Sequence, residues 1–368
     1  MSSEYHDSTD PLYRQFDACC LELKNAIEGI GAFQRRFYPP EGSIQINHLQ
    51  QLRSSLGKTK IVLQEMVVPD PLLEPLEIVI ESSRGILDSL DSIIAALKAD
   101  SQDTISHVMR ASGRLSRTQE ALYPFRHIAS HIDQLFLEAT QPYGDETPNP
   151  QAPKGAPVGL NHIGAEGDNY ARGAFSYYVP ESYRDDRKWP LVVSLHGGSG
   201  HGRDHIWTWL REARSRGFIL LSPTAVGRTW SLTNPEIDGE RLFSVLDFME
   251  RHYNFDMDRI LLTGLSDGGT FALACSLQER TPFTAFAPVA CVLPSDNTTY
   301  VKGRRIYWVH GAWDQMFPLY LAQNGTESLE NAGADITFRP IDDLSHTYPR
   351  EENDRILKWF DPEIPQPV

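Results

Sequence analysis

The stretch Gly264-Leu265-Ser266-Asp267-Gly268 sets a serine between two glycines, each two residues away, directly after the apolar run Ile260-Leu261-Leu262. G-x-S-x-G following a buried strand is the spacing of a nucleophile elbow. A serine on a sharp strand-to-helix turn leaves no room for side chains two residues off, and Gly264 and Gly268 relieve that crowding. The Ser266 hydroxyl then stands at a helix N-terminus, where the backbone N–H of Asp267 can bind a developing oxyanion. Three further stretches carry compatible groups. His196-Gly197-Gly198 follows the apolar run Pro190–Leu195, and such glycines supply the other half of an oxyanion hole. Asp314 follows the run Arg305–Val309, and His346 follows Ile336–Pro340. Asp342 and Asp343 stand nearer His346 in sequence, but Asp314 follows a strand of its own and is the preferred acid. The chain order Ser, Asp, His, each at the end of a strand, points to acyl transfer through a serine nucleophile.

Those residues need a scaffold that brings strand ends together. Residues 161–368 alternate short apolar runs with helical stretches, which predicts a mostly parallel sheet with crossover helices. Ala174–Val179 reads as an early edge strand, and a helix over about 238–253 precedes the elbow strand. Open sheets of this kind bind ligands at the C-terminal ends of their strands. Residues 1–140 read differently. Apolar residues recur at three- and four-residue steps in four segments: Leu12 to Ile30, Ile46 to Leu63, Leu76 to Leu97, and about 103 to 137. Pro69, Pro71 and Pro75 are expected to break the chain between the second and third segments, and Pro124 to kink the fourth. The expectation is an up-and-down helical bundle serving oligomerisation or gating, with pairing to a second copy as the first choice. Residues 141–160, rich in proline, glycine and polar residues, read as the linker.

With these motifs in view, residues 172–361 resemble the α/β-hydrolase superfamily, closest to its phospholipase/carboxylesterase and polyhydroxybutyrate-depolymerase-like branch. The matching stretches are LHGGSG at 195–200, GLSDGG at 264–269, HGAWDQMFP at 310–318 and LSHTYPRE at 344–351. The resemblance implies Ser266 as nucleophile, His346 as general base, Asp314 as its orienting acid, and the N–H groups of Gly198 and Asp267 as the oxyanion hole. It implies a carboxylesterase acting on small short- to medium-chain esters, with thioesterase or polyester depolymerase as alternatives. Ser345 stands where these families often have glycine. A helical adaptor fused to a retired hydrolase domain is the rival from another class, and the intact Ser266, Asp314 and His346 weigh against it.

Composition limits the partners. A formal net charge of −15 argues against nucleic acid and anionic membrane surfaces. No apolar stretch approaches the roughly 18 residues of a membrane span, and the polar N-terminus has no apolar leader core, so a cytoplasmic location is expected. The four cysteines form neither a disulfide framework nor a metal-ligand spacing. His201, Asp204 and His205 look like a metal trio, but Asp204 reads better as a helix cap. His127 and His131 are spaced to share a helical face without an accompanying carboxylate motif. No cofactor fingerprint is present, so no cofactor and no metal are expected. Trp230 and Trp313 are the candidate substrate-binding aromatics, with Trp207, Trp209 and Phe317 as further pocket or core residues.

Overall fold

The computed structural model describes residues 10–38, 45–99, 104–138, 157–164 and 167–366. The chain divides into two compact units, Met1–Phe136 and Leu137–Val368. Most of the expected linker lies outside the described residues.

Among its described residues the first unit holds four long helices, α1 (Pro11–Arg35), α2 (Ile46–Gln64), α3 (Asp70–Lys98) and α4 (Thr104–Leu122), followed by the short α5 (Ser130–Asp133). Asp10 starts α1 by accepting the Leu12 N–H at 2.8 Å, with Pro11 in the first turn, where no N–H is needed. Leu49, Leu56 and Leu63, two turns apart, form the buried stripe of α2. Each long helix packs on the next, and α1 also packs on α3 and α4, as short links between amphipathic helices dictate. The prolines act differently from expectation. Only Pro69 precedes α3; Pro71 sits in its first turn and Pro75 inside it, near its start. Pro124 does more than kink the fourth segment: α4 ends at Leu122 and a 3₁₀ turn, Tyr123–Phe125, follows. His127 therefore lies outside α5 while His131 lies within it, and the two share no helical face. Among the described residues, no helix is long and apolar enough to cross a membrane.

The second unit is built on an eight-stranded sheet ordered β1-β2-β4-β3-β5-β6-β7-β8. Its strands are β1 (Gly159–Ile163), β2 (Phe175–Val179), β3 (Trp189–Leu195), β4 (Ile219–Pro223), β5 (Phe255–Leu265), β6 (Ala285–Val289), β7 (Arg305–Gly311) and β8 (Asp335–Ile341). The first two pairings are antiparallel and all the others parallel. Every residue of β2, β3, β4 and β6 is buried, and β3, β4 and β6 read as largely apolar runs for that reason. The expected edge strand at 174–179 is instead covered by β1, whose first residues, Gly159 and Leu160, fall within the stretch read as linker. Glycine and proline around a five-residue strand hid it. Among the described residues the unit has six further helices: α6 (Gly202–His205), α7 (Leu210–Arg216), α8 (Glu236–His252), α9 (Asp267–Ser276), α10 (Leu319–Asn331) and α11 (Asn353–Phe360). The chain runs from β3 to β4 on one side and returns to place β5 on the other, so the order reverses at β3. Open sheets of this kind place their ligand sites at such a reversal, beyond the C-terminal ends of the strands.

A buried ion pair fixes where this unit begins. Arg216 at the end of α7, 2% exposed, meets Glu138 at 2.7 Å and Asp354 of α11 at 2.9 Å. Glu138→Ala leaves a buried guanidinium short of its main partner, and is expected to lower the denaturant-measured stability of this unit by about 3 kcal/mol. Glu138→Gln, which keeps a hydrogen-bond acceptor, loses less.

Candidate active site

The parallel register of β5 through β8 levels their C-terminal ends: Leu265 pairs with Val289, Val289 with Val309, and Gly311 with Ile341. Ser266 is the first residue beyond β5, Asp314 lies three past β7, and His346 five past β8. The last two loops are tied together, Ala312 N–H donating to Ile341 at 2.8 Å and Trp313 N–H to Leu344 at 3.0 Å.

Ser266 has φ 56 and ψ −119, a backbone conformation that side chains other than glycine's rarely adopt. Its N–H donates to Val289 O at 2.9 Å and its carbonyl accepts the Thr270 N–H at 2.8 Å, the start of α9. The strand-to-helix reversal is sharp because α9 presses on the end of β3: a Cβ at Gly268 would stand 2.5 Å from His196 O. Among the described residues the positive-φ residues other than glycine are Ser199, Ser266 and Ala290, and each follows the C-terminal end of a strand. Backbone strain is thus concentrated at one sheet edge.

The three side chains meet in a line. His346 Nδ1 lies 2.8 Å from Asp314 Oδ2, and His346 Nε2 lies 3.0 Å from Ser266 Oγ. The other Asp314 oxygen accepts N–H groups of Met316 at 2.9 Å and Phe317 at 2.8 Å. With Asp314 fully buried and accepting on both oxygens, His346 donates from Nδ1 and keeps Nε2 free to accept from the serine hydroxyl. Phe317 sets its ring edge-on to His346 at 5.4 Å. Asp314, rather than Asp342 or Asp343, is the acid hydrogen-bonded to the imidazole.

The glycine loop lies against the elbow. A Cβ at Gly197 would stand 3.6 Å from Ser266 Cβ, and one at Gly198 would meet the Asp267 carboxylate at 2.8 Å. His196 braces this loop. Its Nδ1 is 2.7 Å from Gly197 O, its Nε2 accepts the Ala225 N–H at 3.1 Å, and its own carbonyl accepts from Trp230 Nε1 at 2.7 Å. Trp230 is 2% exposed and stacks on Phe271, so it stiffens the loop from beneath and offers almost no surface to a ligand. Trp207 and Trp209 are likewise buried, whereas Trp313 is half-buried beside Asp314. His201, and not Asp204, caps α6, its Nδ1 accepting the Arg203 N–H at 3.0 Å. No group of three metal-binding side chains occurs among the described residues.

His310 is a site neighbour that sequence reasoning left without a role. Fully buried, it lies 2.7 Å from Phe317 O through Nε2 and so closes the turn whose N–H groups hold Asp314. Its position four residues before Asp314 was the available signal.

The second unit has an α/β-hydrolase fold, and residues 247–361 match the Phospholipase/Carboxylesterase family. Over 132 residues the chain is 29% identical to the bifunctional acetylxylan esterase/xylanase XynS20E of Neocallimastix patriciarum, covering 34% of this chain and 19% of that protein. Over 109 residues it is 24% identical to the uncharacterized protein YcjY of Escherichia coli strain K12, covering 28% and 36%. The chain thus spans about a fifth and about a third of the length of these relatives. Among solved structures, a thermostable esterase superposes with a TM-score of 0.41 at 20% identity, over 49% of this chain and 52% of the other.

Burial drives the His196 pKa down to about 4 and that of His205 to about 3. Both imidazoles are therefore neutral in the folded chain at neutral pH. As pH falls below about 6.5 the unfolded chain takes up protons that these two rings refuse, so acid favours unfolding. Each adds a slope of about 1.4 kcal/mol per pH unit down to its folded pKa. Denaturant titrations between pH 6.5 and 4 should show stability falling with acid, and His205→Leu should flatten the slope by about one proton.

Proposed function

We propose that the second unit is a serine carboxylesterase that hydrolyses short- to medium-chain esters through an acyl-enzyme. The hydrogen-bonded line Ser266–His346–Asp314 is the observation that carries the reading. His346 Nε2 takes the Ser266 proton as Oγ attacks the ester carbonyl, and a tetrahedral intermediate forms. Asp314 holds the imidazole in the accepting tautomer and stabilises the imidazolium. Backbone N–H groups of Gly198 and Asp267 stabilise the oxyanion, each donor being worth about 3 kcal/mol in enzymes of this kind. The imidazolium returns its proton to the leaving alcohol. Water, deprotonated by the same His346, then releases the acid and regenerates Ser266. The family match and the acetylxylan esterase name of one relative support ester chemistry.

The turnover of para-nitrophenyl esters from acetate to octanoate is the first assay. Ser266→Ala should lower kcat by about 10⁴-fold or more with the fold intact. Asp314→Asn should lower kcat by about 10⁴-fold by favouring the wrong imidazole tautomer. Wild-type turnover matched by both variants would overturn the reading.

The proposed role of the first unit is self-association. Exposed Ile61, Val62 and Val67 at and beyond the end of α2 give it apolar surface to cover. Sedimentation should find a dimer in the wild type and a monomer in an Ile61→Glu/Val62→Glu variant; an equal mass for both would remove this role.

A further inference from the structure

The carboxylesterase reading leaves one side of the site unassigned, the flank beyond the oxyanion glycines, where arginines gather. Arg172 donates from Nη1 to Gly200 O at 2.7 Å and from Nη2 to Arg228 O at 3.2 Å. Arg203 lies over the Tyr170 ring at 4.5 Å. Arg228 donates from Nε to Ser199 Oγ at 3.0 Å, and Ser199 is one of the strained residues, with φ 58. The next residue, Thr229, donates its hydroxyl to Asp267 Oδ2 at 2.5 Å, and Asp267 directly follows Ser266. Arg228 is thus tied to the loop after β3 through its own Nε, and its neighbour Thr229 to the residue that follows Ser266.

Its guanidinium is incompletely used. Arg228 is exposed, its Nε is engaged, and its two amino groups have no partner among the described residues. Carboxylates of the adjoining segments make hydrogen bonds of their own, and among the described residues none forms an ion pair with Arg228. Asp267 accepts from Thr229; Asp238 accepts the N–H groups of Val226 and Ser231; Asp168 accepts that of Tyr170. In a chain of net charge −15, a positioned guanidinium without an ion-pair partner at the site's edge stands out. A planar fork with free donors matches a carboxylate and gains little from a neutral chain.

We propose that Arg228 binds a carboxylate carried by the substrate, so that the preferred substrates are esters with an anionic group a few bonds from the scissile carbonyl. This rests on the carboxylesterase reading above. Arg172 acts as a positioning residue, holding the Arg228 backbone and the glycine loop in one arrangement.

The test compares two matched pairs of esters at low and at 0.5 M salt. In the first, the mono-para-nitrophenyl ester of adipic acid is set against para-nitrophenyl hexanoate, placing the anion on the acyl side. In the second, para-carboxyphenyl butyrate is set against para-carbamoylphenyl butyrate, placing it on the alcohol side. The wild type should favour the anionic member of one pair in kcat/KM, and the favoured pair identifies the side. Arg228→Gln should lower that anionic-to-neutral ratio about tenfold, mainly through KM, since the guanidinium touches a part of the substrate remote from the reacting atoms. Arg228→Lys should restore part of it, and high salt should shrink it in the wild type. Neutral esters turned over with no anionic preference, or a ratio unmoved by Arg228→Gln, would overturn the proposal and leave the carboxylesterase reading standing. No turnover of any of the four esters would overturn both.

Discussion

The second unit is arranged around one backbone constraint, the reversal at Ser266. A residue held at φ 56 has to be over-determined by its surroundings, since that conformation is unfavourable on its own. Strand β5 supplies one anchor through its register with β3 and β6, and α9 supplies the other by packing against the end of β3. The strain is sustained because relieving it would mean unpairing a central strand. The same geometry lifts the Ser266 side chain above the sheet edge, where loops from β7 and β8 deliver Asp314 and His346. Positions 48 and 80 residues downstream meet because parallel strands end level, and no local signal is required.

Burial of polar groups around this turn follows a consistent logic. His196, His310 and Asp314 are all removed from water, and each carries hydrogen bonds that hold a loop rather than a ligand. Low-dielectric surroundings make those bonds stronger and their loss costlier. Burial also disfavours the charged form of the His196 and His310 imidazoles, because desolvation pushes both pKa values down. His346 alone among these rings bridges a buried carboxylate and a serine hydroxyl.

The alternation of apolar runs and helical stretches made the parallel sheet legible, since strands covered on both faces are made mostly of apolar residues. Ser266, Asp314 and His346 stood out because each follows such a run. Features set by tertiary contact were not legible. Strand β1 borrows its order from β2 and has no apolar run of its own. Pro75 is accepted inside α3, where packing against neighbouring helices outweighs its local cost. Trp230 has the composition of a ligand-binding aromatic, yet a single indole hydrogen bond commits it to the loop beneath Ser266. Arg228 carried no sequence signal, because its meaning lies in having no ion-pair partner where it stands.

Covalent labelling tests the central claim, that Ser266 is the nucleophile. The purified chain would be treated with a fluorophosphonate, its intact mass taken, and the modified peptide sequenced by tandem mass spectrometry. A single stoichiometric adduct on Ser266, prevented by His346→Ala, is the predicted result. An unlabelled protein, or an adduct on another residue with Ser266 unmodified, would contradict the account.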